Sequence, residues 1–401
     1  MPNRSQPAVA LARLLLTIIS MRAALTALSP LLDPIVKTFD LSGGEAGLLG
    51  TLPLLCFALL SFAGVAVVAR IGLEAALGWT MLTLALGALT RALGSSAALF
   101  AGTLLGGAGA AAATALVPAV VRREWGHFGA AMAIYALLTT WGGGFASALS
   151  QPLALLTPLG WQFSLGFWAL PAIIAAWLWR RAPTAEAHSH PLPAIPIRRL
   201  LRSSLAWQLS MFCGLNTLTF FIVIAWLPAY LQGAGFAPQS SGMLLGLMQI
   251  LAVPPGILIA ARARTARQQR ALGFLASMAM AVGFCGYALA PGLSSLWIFF
   301  TGVGGGACVS LGLQLIALRS AGAPTLIALS AMTQTVSYGV AALGPVLFGL
   351  GRDLIGSWAP PFFCVAAIAV LQALFGLSAG RDRTIESELG ASLSSNPVAA
   401  G

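Results

Sequence analysis

The sequence predicts an all-α membrane protein of twelve transmembrane helices in two pseudo-symmetric six-helix halves. Three observations carry that expectation. Of the 401 residues 58% are hydrophobic and only 8% charged, the mean hydropathy is +0.90, and the two halves of the chain match each other weakly but in order. Soluble domains carry nearer a quarter charged residues, too many for this composition to supply. A helix rises 1.5 Å per residue, so crossing about 30 Å of hydrocarbon takes roughly 20 apolar residues, and the chain has room for about a dozen spans.

Breaks marked by Arg, Gly, Pro and Ser clusters divide the chain into twelve apolar runs, at 8–35, 46–69, 73–93, 97–121, 128–150, 158–180, 204–231, 238–261, 271–290, 294–318, 325–350 and 357–379. The first run continues for more than 20 residues without a small-x-small cleavage site, which predicts a retained span. With the N-terminus inside, seventeen of the 21 Lys and Arg residues fall at the cytoplasmic face, three (Lys37, Arg91, Arg352) fall outside, and Arg22 lies within the membrane. The positive-inside rule then makes both termini cytoplasmic in a bacterial inner membrane, and the net charge of +11 reads as a topology signal with no nucleic-acid partner. Residues 182–203, rich in Pro, Ser and Arg, form a cytoplasmic linker between an N-terminal half (1–181) and a C-terminal half (204–380). The tail 381–401 is small and polar, and is expected to be disordered. His188 and His190 sit in the linker and the five cysteines fall inside apolar runs without metal-like spacing, so neither a metal nor a cofactor is expected.

The repeat is visible at an offset of 197, where "GGAGAAAATALVPAVVRR" (106–123) falls on "VGGGACVSLGLQLIALRS" (303–320), aligning Gly107, Gly109 and Arg122 with Gly304, Gly306 and Arg319. Pro30 matches Pro228 at an offset of 198. Both glycine-rich stretches sit in apolar helices with no preceding strand and no Gly-Lys-Ser/Thr, so they predict close helix packing instead of a nucleotide site. Arg22 has no counterpart: the matching position holds Phe220, or Thr219 one residue away.

That asymmetry singles Arg22 out for substrate chemistry. A cation at mid-membrane costs about 2.5–3.5 kcal/mol on insertion scales, so it needs a function. Arg22, Thr26 and Ser29 share one face of the first span, and Ser330, Gln334 and Tyr338 share one face of the eleventh. Both stripes need water or polar neighbours at that depth. Asn216 and Thr219 on span seven, Tyr135 and Thr139 on span five, and Gln314 on span ten join them as weaker candidates. The alternatives are structural. Ser and Thr bond their own backbone, Gln and Tyr join helices, and an Arg can lock onto helix-end carbonyls. As a ligand anchor, a guanidinium suits a small planar anion, or a nitro group with its two oxygens. Pro345, beside Gly344, predicts a bend in span eleven that serves gating or packing. None of the ten acids lies at mid-membrane, so no carboxylate proton relay is expected.

The two-half, twelve-span layout resembles the major facilitator superfamily. More closely, "MRAALTALSPLLDPI" (21–35), "LVPAVVRREW" (116–125), "AWLPAYLQGAGFAPQSSGMLLGL" (225–247) and "MTQTVSYGVAALGPVLFG" (332–349) are similar to its cyanate permease and 2-nitroimidazole transporter family. The resemblance implies secondary transport by alternating access, without enzymatic activity and by a monomer. Arg22 would anchor a small planar anion such as cyanate. In the alternative, the protein would export a nitro-aromatic or drug-like compound, with Trp141, Trp226 and Tyr338 as stacking surface. The superfamily's loop motif between spans two and three survives as "ARIGLE": Arg70 is kept, while Ala69 and Leu73 replace an Asp and an Arg. Asn216 stands where the family would place a Gln.

Overall fold

The computed structural model describes residues 5–60, 71–124, 128–182, 197–262 and 265–394. Its elements are helical throughout, and among the described residues eleven stretches are long and apolar enough to cross a membrane. The remaining predicted span, the fifth, falls on a helix at Phe128–Ala154 that carries Thr139, Thr140, Gly142 to Gly144 and Gln151. Gly142 and Gly143 of this helix pack against Arg22.

The chain forms two compact units. The first contains residues 1–188, 221–250 and 342–357, and the second 189–220, 251–341 and 358–401. In order, the first unit begins with α1 (Ser5–Thr26), α2 (Leu32–Phe39), α3 (Gly43–Leu60), α4 (Leu73–Arg91), α5 (Ser96–Glu124), α6 (Phe128–Ala154), α7 (Trp161–Phe167) and α8 (Ala169–Arg180). A short α9 (Ile197–Leu200) precedes α10 (Ser204–Gly233), whose second half belongs to the first unit together with α11 (Pro238–Leu251). The second unit holds α12 (Val253–Arg262), α13 (Ala266–Leu289), α14 (Ser294–Leu318) and α15 (Ala323–Ala341). Finally α16 (Leu343–Ile355) returns to the first unit, and α17 (Ala359–Ala379) and α18 (Ile385–Ser394) complete the second. The compact units therefore cut across the two sequence halves.

Prolines explain the interruptions. A proline lacks an N–H and clashes with the carbonyl four residues before it. Accordingly α1 ends at Thr26, four before Pro30; α7 ends at Phe167, four before Pro171; α11 ends at Leu251, four before Pro255; and α15 ends at Ala341, four before Pro345. At the expected bend in span eleven the helix is interrupted at Ala342, and spans one, six and eight, expected as continuous, are interrupted for the same reason.

Glycine permits close helix approach, as between α4 and α5. A Cβ on Gly87 of α4 would lie 2.6 Å from the Gly106 nitrogen of α5, and one on Gly102 would lie 2.6 Å from the Gly87 carbonyl oxygen. Only hydrogen atoms fit between these backbones.

Two expectations are corrected. The segment after Gly380 is not disordered as far as Ser394, because α18 docks there. Glu388 accepts bonds from the Ser203 hydroxyl at 2.7 Å and from Ser204 N and Leu205 N at 3.0 and 3.2 Å, which caps the start of α10. Glu386 accepts from Ala321 N at 3.0 Å, just before α15. Arg91, sorted by charge to an outer loop, is 3% exposed at the end of α4. Its long side chain turns back against α1 and does not reach solvent.

Candidate substrate site on the first helix

The surroundings of Arg22 follow from the break at Pro30. That proline leaves the Thr26 carbonyl without its helical donor, and the Ser147 hydroxyl of α6 donates to it at 3.3 Å. One turn further along, Gln151 Nε2 donates to the Pro30 carbonyl at 2.5 Å. One turn back, the Thr26 hydroxyl lies 3.0 Å from the Gly143 carbonyl and 3.1 Å from that of Arg22. Residues 143, 147 and 151 are spaced by four, so one face of α6 closes a polar seam along α1.

Arg22 sits at the end of this seam, half-buried. Its Nη2 donates to Oε1 of Gln249 on α11 at 3.3 Å. The guanidinium lies over Gly143, where a Cβ would come within 3.0 Å of Nη2 and 3.1 Å of Nε. Gln249 is 1% exposed, and its Nε2 has no hydrogen-bond partner. The group that Nη2 meets is thus a neutral amide.

The other sequence candidates divide. Ser29 is buried and donates to the Ala225 carbonyl at 3.2 Å, which makes it a helix tie. Tyr135 is half-buried on α6, and Thr139 bonds its carbonyl at 2.7 Å. In the second unit, Asn216 is 3% exposed and accepts from Gln372 Nε2 at 3.4 Å, while the fully buried Thr219 donates to the Asn216 carbonyl at 3.0 Å. Both are engaged inside that unit. Gln334 is exposed and Tyr338 and Ser330 are half-buried, so they keep a common open face on α15. Gln314 is half-buried with Oε1 unpartnered among the described residues. Gly344 and Pro345 are buried at the α15–α16 break. Trp226 is 4% exposed, donates to the Pro345 carbonyl at 2.9 Å and packs on Phe348, which corrects its expected role as open stacking surface. Trp141 is 56% exposed. Arg70 and Ala69 lie outside the described residues. No group of three or more His, Cys, Asp or Glu side chains suited to a metal occurs among the described residues.

Gln249 and the seam residues Gly143, Ser147 and Gln151 were not singled out by sequence. Their only signal is a lone amide, hydroxyl or glycine in an apolar run.

The profile of the Major Facilitator Superfamily matches residues 14–345. The chain belongs to the major facilitator superfamily. As a superfamily member it is a multi-pass membrane transporter and not an enzyme. It is 36% identical over 380 residues to the 2-nitroimidazole transporter of Escherichia coli (strain K12), covering 94% of this chain and 96% of that protein. It is 32% identical over 366 residues to the cyanate transport protein CynX of the same organism, covering 89% and 94%. Among solved structures, a bacterial homolog of the human lysosomal transporter Spinster superposes with a TM-score of 0.81 at 16% identity, over 95% of this chain and 98% of that one. The major facilitator fold expected from the resemblance is therefore the fold observed.

Proposed function

We propose that this transporter exports small planar compounds bearing a paired-oxygen group, nitro-aromatics of the 2-nitroimidazole kind first, with Arg22 as the anchor. The observation that carries the reading is the half-buried Arg22 at the end of a polar seam in an apolar helix, with Gln249 on its Nη2. A guanidinium presents five N–H donors in a planar fork, and the two oxygens of a nitro group match that fork. The 36% identity to a 2-nitroimidazole transporter supports this substrate class. Gln334, Tyr338 and Tyr135 are proposed as further substrate contacts, while Asn216 and Thr219 act through packing. Pro345, Gly344 and Arg70 are assigned to gating. Both termini are cytoplasmic in the inner membrane of a bacterium, the protein works as a monomer, and it needs no cofactor.

A second reading keeps the fold and the anchor but moves a cyanate-like anion. It is favoured by the permanent positive charge of a guanidinium and by the 32% identity to a cyanate transport protein. Ligand-dependent thermal stabilisation of purified wild type and Arg22→Gln separates the two. Stabilisation of wild type by 2-nitroimidazole, lost in Arg22→Gln, is the expected result. Stabilisation by cyanate alone gives the anion reading. Equal stabilisation of both proteins makes Arg22 a structural lock.

A further inference from the structure

Arg91 is a second buried arginine, and the proposed transport reaction does not use it. Its Nη2 donates to the Ala24 carbonyl at 3.0 Å, two residues along α1 from Arg22. Residues two apart on a helix point to nearly opposite sides, so the two cations flank α1. Arg91 is 3% exposed, no carboxylate pairs with it among the described residues, and its Nε has no partner. The last turn of α1 supplies only about half a negative charge, so the guanidinium is incompletely compensated where hydration is excluded.

Two small cavities open on this side chain. One, of about 20 Å³, is bordered by Arg91, Ser29 and Thr103 among apolar side chains. The other, of about 10 Å³, is bordered by Arg91, Ser20 and Trp168. Trp168 is 5% exposed, and its indole Nε1 is also without a partner. The hydroxyl protons are committed: Ser20 donates to Leu16, Ser29 to Ala225 and Thr103 to Leu99. The unspent polar groups are therefore two N–H donors and a positive charge. Donors and a positive charge suit a group that only accepts, as an anion does. The space admits one or two atoms, too little for a nitro-aromatic.

We propose that Arg91 and Trp168 hold one small monovalent anion, a halide, in a site across α1 from Arg22. Its occupancy neutralises Arg91 and steadies the helix that carries the substrate anchor. This inference is independent of the substrate reading.

The test is thermal stability of the purified protein, titrated with sodium chloride and sodium bromide against sodium gluconate at constant ionic strength. Wild type should show a saturable rise in Tm with either halide and none with gluconate. Trp168→Phe should weaken the apparent halide affinity by about tenfold, the loss expected for one hydrogen bond to a charged group. Arg91→Gln should abolish the halide response. In crystals grown in bromide, the anomalous peak should lie beside Arg91. A halide-independent wild type, an unchanged response in Trp168→Phe, or a bromide peak elsewhere would overturn the proposal. The last two readings hold even where Arg91→Gln does not fold.

Discussion

Pro30 offers no N–H to the Thr26 carbonyl, and that one missing donor organises the neighbourhood of Arg22. Ser147 is fully buried and supplies the donor. Ser147→Ala should therefore cost about 1–3 kcal/mol, the price of a buried carbonyl left unpaired, and should lower the Tm without abolishing transport. Gln249→Met keeps the volume and removes the acceptor for Arg22 Nη2. It should raise KM several-fold with little change in maximal rate, as a misplaced anchor would, and proteoliposome kinetics would show it. Arg22 itself was legible in the sequence because a mid-span cation violates the composition of its surroundings. Gln249 was not, since a single amide in "LMQIL" does not reveal which helix it faces.

Among elements, α18 is the clearest correction, because a polar tail folds when its acids have somewhere to bind. Glu386 and Glu388 both titrate below the usual carboxylate range. Burial works against this in each, but bonds from Thr325 and the 321–322 backbone at Glu386, and from Ser203 to Leu205 at Glu388, outweigh it. A depressed pKa stabilises α18 above the unfolded carboxylate pKa, and the contribution is lost as pH falls through the lower folded value. Acidification below the ordinary carboxylate range should release α18 first, seen as increased proteolysis after Gly380 ahead of global unfolding. Glu388→Gln should weaken the α10 cap by about 1 kcal/mol or less, given partial exposure, and flatten that pH dependence. The helix breaks were readable in principle, since each lies four residues before a proline. Yet Pro53, Pro118, Pro152 and Pro228 sit inside unbroken helices, so proline alone does not say which helices break.

At the scale of the molecule, composition and the weak repeat were enough for the fold, because burying twelve apolar runs in a bilayer leaves few architectures. They did not reveal the compact units. Second-half segments 221–250 and 342–357 belong with the first half, through contacts such as Thr51 to the Ala342 carbonyl at 2.7 Å. Such contacts join residues hundreds apart and leave no local pattern. Two of the unit boundaries, after Ile250 and after Ala341, lie at the breaks before α12 and α16. The measurement that tests the central claim most directly is efflux of labelled 2-nitroimidazole from preloaded cells. It would compare wild type, Arg22→Lys and Arg22→Gln at matched membrane abundance. The account predicts rapid efflux by wild type, a large loss in Arg22→Lys because a point charge cannot replace the planar fork, and background efflux in Arg22→Gln. Wild-type rates in Arg22→Gln would contradict it.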